Sequence, residues 1–465
     1  MDLNKIGRVK WYHDVSNQRS PVYVGWALMN CFAEHNEYYG RTIKDCMFAF
    51  ENVCVTRICY SERDIKEGAE ALLRNYSGDH LFLEKTEKIV LDRGKKFIET
   101  SRQGWLNSKD KDLKDLLKSL KIIQDYRTKF FAYSMIPELS AEILGERFDE
   151  ELIKQFGNKS SEYGAILSIP RESELRRAER ELVDISKKKN FNSLLKDYVK
   201  KYFWISNNYI DTVYLDEKYF RNKLEGIDMN ASLDLSKKKK LMDSLKDKKY
   251  DTLRAITDII ESLAFIQDYR KKVFMETSYY TNEILRIIGK EKGYELMDMF
   301  LFNPDEMYDL KRTVVSDEEL SRRRKKIVFY YHEGDFGFYS GEEAVKVENM
   351  IAPLKIPEGR VFNGRGTYPG KIKGEARVIK SFTELNTLKQ GEILVTGNTT
   401  PDYLPFLKRA RAIITEKGGL TCHAAIISRE LKVPCIVGVS NITLALKTGD
   451  MIEVDSEKGV VKKIK

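Results

Sequence analysis

Long apolar runs are missing from this 465-residue chain, and with them most classes of membrane protein. No stretch approaches the ~18 consecutive apolar residues a membrane helix needs, and Met1 to Arg8 lack the apolar core of a signal peptide, so a cytoplasmic protein is expected. The six cysteines, Cys31, Cys46, Cys54, Cys59, Cys422 and Cys435, include no Cys-x-x-Cys pair and no framework spacing. That predicts reduced thiols, without disulfides or a metal site. Proline is scarce before residue 345, so little there interrupts a long helix. No Gly-x-x-x-x-Gly-Lys run or glycine-rich hairpin precedes residue 345 either, which predicts that no nucleotide is held by this chain alone. A charge of one sign is also lacking: 80 Lys and Arg face 71 Asp and Glu, a net charge of +9. The basic runs 237–240 and 322–326 read as solvated helix faces, so neither nucleic acid nor a membrane is expected as a partner. The modest excess suits a protein that handles phosphate-bearing ligands.

What is present before residue 345 is helical patterning. Leu113, Leu116, Leu117, Leu120 and Ile123 recur at three-to-four spacing, as do Leu253, Ile256, Ile260, Leu263 and Ile266. One template, Asp-Tyr-x-x-Lys-x-Phe, starts at Asp125, Asp197 and Asp268. Helical duplication and convergent amphipathic patterning both account for it. Asn303 followed by Pro304 has the form of a helix start, with Asn303 as cap and Pro304 at the first helical position. The aromatic residues Tyr202, Phe203, Trp204, Tyr209, Tyr279 and Tyr280 could fill a core or line a small-molecule pocket. Residues 353–374 hold the densest Pro/Gly stretch, read as a linker that serves as a hinge or as an ordinary connection.

The most informative segment is Thr415-Glu416-Lys417-Gly418-Gly419-Leu420-Thr421-Cys422-His423-Ala424-Ala425-Ile426-Ile427-Ser428-Arg429-Glu430. Ala412 to Thr415 is apolar and β-branched and reads as a short strand. Gly418 and Gly419 end it with backbone that can turn and approach a ligand closely. A helix should follow, with Thr421 as N-cap and His423 in its first turn. Free N–H groups and the positive helix end would stabilise a phosphoimidazole there. A neutral imidazole is also a competent nucleophile near neutral pH. Cys422 points about 100° away from His423 on a helix and has no partner at metal spacing.

This segment resembles the phosphohistidine motif of the phosphoenolpyruvate-utilising enzymes, as in phosphoenolpyruvate synthase and pyruvate phosphate dikinase. The likeness runs upstream through Thr399 to Ala410 and downstream through Leu431 to Gly438, ending at Gly449 to Asp455 and Gly459. It implies a swivelling β/β/α domain whose histidine takes a phosphoryl group at one active site and carries it to another. The expected fold class is therefore multidomain, α plus α/β. Residues 1–345 form a mostly helical substrate-binding region, 346–370 a linker, and 371–465 the phosphohistidine mobile domain. The order is most like rifampin phosphotransferase without its ATP-grasp domain.

By that resemblance His423 is the phosphorylated nucleophile, and Thr421 hydrogen-bonds its imidazole or phosphate. The backbone of Gly418 and Gly419 admits the phosphate. Arg429 either contacts the phosphate or makes a surface ion pair. Arg270, in the helical region, either contacts the transferring phosphate or lies on the surface beside Lys271 and Lys272. Only 42 residues follow His423, too few for a pyruvate-binding barrel, so an acceptor other than pyruvate is expected. ATP and Mg2+ would be bound by an ATP-grasp nucleotide-binding partner, and the acceptor would be a hydroxyl-bearing small molecule. A non-catalytic phosphocarrier or regulatory protein, phosphorylated on His423, remains the alternative.

Overall fold

The computed structural model describes residues 9–14, 18–33, 43–79, 81–108, 111–157, 166, 171–224, 227, 236–332, 335–351, 357–380, 382–399, 403–418 and 422–464. The chain divides into two compact units. One comprises residues 1–141, 169–239 and 257–352, and the other 142–168, 240–256 and 353–465.

The first unit is dominated by helices, among them Phe82–Leu106, Leu113–Ser134 and most of the 42-residue helix Asp251–Lys292. Side-chain caps start several of them: Asp112 accepts from the Asp115 N–H, and Ser173 from the Arg176 N–H. Asn303 and Glu306 form a capping box with Pro304 in the first turn, as the sequence predicts. Leu116, Leu117, Leu120 and Ile123 are buried along one face, as their spacing requires. The two outer Asp-Tyr-x-x-Lys-x-Phe copies meet. Phe131 and Phe274 contact edge to face with centroids 4.6 Å apart. Arg127 Nη2 donates to Thr281 Oγ1 at 3.0 Å, and the matching Arg270 Nη1 donates to the Ser134 carbonyl at 3.0 Å. As residue number rises along one helix it falls along the other, so the copies cross antiparallel about a local pseudo-twofold axis.

A six-stranded sheet also belongs to this unit, which the expectation of a mostly helical region does not include. Its strands are β1 (Trp11–Asp14), β2 (Gln18–Arg19), β3 (Asp45–Glu51), β4 (Cys54–Ser61), β5 (Ile327–His332) and β6 (Asp335–Ser340), ordered β1-β4-β3-β5-β6 with β2 on β4. All pairs are antiparallel. β3 is buried on both faces down to Phe50, so it lacks the polar alternation that would have marked it as a strand. Asn52 and Val53 turn the β3–β4 hairpin with φ of 45° and 61°, the left-handed backbone a type I′ turn demands.

The second unit is built on an eight-stranded sheet. Its strands are β7 (Val361–Asn363), β8 (Arg365–Tyr368), β9 (Lys371–Ile379), β10 (Ile393–Thr396), β11 (Ala412–Thr415), β12 (Cys435–Val437), β13 (Met451–Asp455) and β14 (Val460–Lys463). The order is β7-β14-β13-β9-β10-β11-β12-β8. β9 through β12 run parallel at the centre, and the outer strands pair antiparallel. β10, β11 and β12 are apolar and wholly buried, as strands covered on both faces must be. One core groups Ile393, Val395, Ile414 and Ile436; another groups Leu394, Ile413, Ala424 and Val437. The Pro/Gly-rich stretch that reads as a linker thus contributes β7 and β8 to this sheet.

Candidate functional site

At the carboxyl end of β11 the chain leaves the sheet under tight backbone control. The Glu416 N–H donates to the Thr396 carbonyl at 3.1 Å, and the Lys417 N–H to the Gly397 carbonyl at 3.1 Å. The Val439 N–H donates back to the Thr415 carbonyl at 3.0 Å. The loops after β10, β11 and β12 are thereby tied together at one edge of the parallel sheet, where open α/β folds place their ligands. Buried Glu416 accepts from both the N–H (2.8 Å) and the hydroxyl (2.5 Å) of Thr443, which anchors the loop from behind.

Gly418 then takes φ +111°, and a Cβ there would stand 2.5 Å from Cys422 Sγ. No other residue fits. Gly438, with φ +71°, brings the loop after β12 against the Gly418 carbonyl. The helix that follows spans His423–Leu431, with Cys422 as N-cap in extended conformation (φ −68°, ψ 163°). The cap is therefore one residue later than the Thr421 the sequence suggests, because Cys422 keeps extended backbone and helical geometry starts only at His423. His423 is the first helical residue, at the end where backbone N–H groups lack intrahelical partners. Gly419 and Thr421 lie outside the described residues.

Cys422 is not poised as a nucleophile. Burial raises its thiol pKa, offset in part by the Ala425 and Ala424 N–H groups and by Arg429. Burial likewise lifts Cys435 to about 11. Arg429 is half-buried on the same helix, and burial lowers its pKa from the usual guanidinium value, an effect that Cys422 and Asp149 nearby only partly offset. Asp149, fully buried, accepts from Arg365 Nη1 of β8 at 2.8 Å. Sequence reading missed Asp149 and Arg365. Nothing local distinguishes Asp149 among the acids of a helical region. Gly438, by contrast, was already visible within the resembling segment.

Arg270 belongs to the other unit. It is buried rather than on the surface, and Nη1 donates to the Ser134 carbonyl and lies 3.0 Å from Met135 Sδ. Of the two alternatives the sequence offers for Arg270, the exposed arginine is corrected, since Arg270 is buried against Ser134 and Met135. Tyr202, Phe203, Trp204 and Tyr280 are buried in one core cluster with Tyr198 and Phe220, so they fill rather than line. Tyr279 packs against that cluster half-buried.

Residues 388–459 match the mobile domain of PEP-utilising enzymes. The carboxy-terminal unit carries that mobile domain. The chain is 50% identical over 105 residues to a probable phosphoenolpyruvate synthase of Archaeoglobus fulgidus, covering 22% of this chain and 14% of the relative. It is 48% identical over 101 residues to one from Methanothermobacter thermautotrophicus (22% and 15%) and 45% identical over 124 residues to the phosphoenolpyruvate synthase of Pyrococcus furiosus (27% and 14%). The chain thus spans about one seventh of the length of these curated relatives. Among the described residues no helix is long and apolar enough to cross a membrane, and no cluster of His, Cys, Asp and Glu is suited to a metal ion.

Proposed function

We propose that this chain is a phosphotransferase component that relays a phosphoryl group through His423. The observation that carries the reading is the position of His423 at the first residue of a helix that leaves a glycine turn, within a segment matching the PEP-utilising mobile domain. One imidazole nitrogen attacks the phosphorus of a nucleotide presented by an ATP-grasp partner that binds ATP and Mg2+. The phosphorus–oxygen bond to the nucleotide breaks as the phosphorus–nitrogen bond forms. In the second half, the hydroxyl oxygen of a small-molecule acceptor attacks the same phosphorus. The phosphorus–nitrogen bond breaks, the hydroxyl proton departs to solvent, and the imidazole is restored.

The helix end offers N–H groups and positive potential to the phosphoryl oxygens, so the phosphoimidazole is stabilised without a metal on this chain. Gly418 and Gly419 let the backbone come close, and Thr421 hydrogen-bonds the imidazole or its phosphate. Arg429 contributes positive charge to the same helix, balanced by Asp149. A hinge at the entry to the unit, before β7, would let a carrier histidine visit two sites. The relay takes place in the cytoplasm.

A chase experiment tests the transfer half. Phosphorylated chain, freed of its donor, should pass its phosphate to a hydroxyl compound and yield an acid-stable phosphate ester. Phosphate that moves only to another protein would replace the enzyme with a phosphocarrier.

A further inference from the structure

The helical unit holds an open trough of about 890 Å³ between the loop 206–213, the end of the long helix Asp251–Lys292 and the segment 294–300. Its walls are mainly apolar, with Ile210, Val213, Leu296 and Phe300 among them. The trough is built rather than accidental. The Asn282 side-chain amide, fully buried, donates to the Ile210 carbonyl at 3.2 Å and to Thr212 Oγ1 at 3.3 Å, pinning the loop wall to the long helix.

The charges around it are unevenly committed. Arg286 Nε donates to Glu283 at 3.1 Å, and Asp211 accepts from the Asn208 amide at 3.1 Å. Glu295 stands in a capping box with Asp298. The exposed side chain of Lys290, one turn beyond Arg286, has neither an ion pair nor a hydrogen bond among the described residues. An apolar trough bordered by one uncommitted ammonium selects a molecule with an apolar or aromatic body and an anionic head. We propose that this trough is the acceptor site of the helical unit and takes an amphipathic organic anion, its carboxylate or phosphate at Lys290. The proposal rests on the reading that this unit holds the acceptor, and it narrows the acceptor to hydroxylated anions.

The test uses the full chain and two naphthylamine dyes, the anionic 1-anilinonaphthalene-8-sulfonate and the neutral N-phenyl-1-naphthylamine. The anionic dye should bind at one site per chain. Lys290→Glu should weaken it about tenfold, with a smaller loss for Lys290→Gln. The difference should shrink as salt is raised, and the neutral dye should be indifferent to both variants. Anionic-dye affinity unchanged in Lys290→Glu, or no saturable site for either dye, would overturn the proposal. Dye binding involves no phosphoryl transfer, so this result stands apart from whether His423 carries phosphate.

Discussion

Around His423 the chain path is set largely by main chain, with the buried Glu416 carboxylate bracing it, whereas in the helical unit the geometry is held by buried polar side chains. Gly418 at φ +111° and three N–H to carbonyl bonds set the path after β11. In the helical unit, Arg127 reaches Gln124 and Thr281, stacks over the Tyr23 ring at 4.7 Å, and has its repeat partner in Arg270. The contrast separates two uses of polar groups. A backbone-built turn leaves N–H groups free to face a ligand, while a side-chain-built core consumes its donors internally.

The largest expected effect lies on the backbone side. Gly418→Val forces a β-branched residue to positive φ and into Cys422, which should cost about 3 kcal/mol and also end phosphorylation. Hydrogen exchange of β11 and of His423–Leu431 should show the opening there, with the helical unit unaffected. Equal destabilisation of both units would mean that the turn is not the local constraint described above.

Arg270→Met comes next, with a cost of about 2 kcal/mol from the loss of its bond to the Ser134 carbonyl. Denaturant melts should register that loss while phosphorylation of His423 persists. Normal stability with lost phosphate transfer would instead make Arg270 a phosphate contact and erase the contrast.

The smallest effect is a pH dependence. Burial raises Glu276 to about 7, and Lys272 and Arg102 offset only part of the rise. Between pH 4.5 and 7 the folded state therefore keeps a proton that the unfolded chain releases, so stability falls as pH rises through this window. Glu276 is half-buried, and after screening the loss should be on the order of 1–2 kcal/mol. Glu276→Gln should flatten the profile, as thermal melts at pH 4.5, 6 and 7.5 would reveal. A wild-type profile that rises across this window would contradict the assignment.

How much could be read in advance follows the same division. β11, the glycine turn and His423 in the first helical turn were legible, because strand, positive-φ glycine and helix start each have local signatures. The cap moved by one residue because Thr421 and Cys422 are adjacent and only backbone conformation decides between them. β1 to β6 were obscured because β3 is apolar on both faces and pairs with β5 from far along the chain. Asp149 gave no signal at all, since its role depends on Arg365, 216 residues away. The aromatic residues could be counted in advance, but whether they fill a core or line a pocket is decided by packing.

The central claim is that His423 carries the phosphoryl group, and mass spectrometry of the chain isolated at neutral pH from its own cells tests it most directly. The peptide containing His423 should carry one phosphoryl group that acid removes, and His423→Ala should lack it while keeping the fold of its unit. An unmodified His423 peptide, or phosphate that survives acid and persists in His423→Ala, would contradict the account.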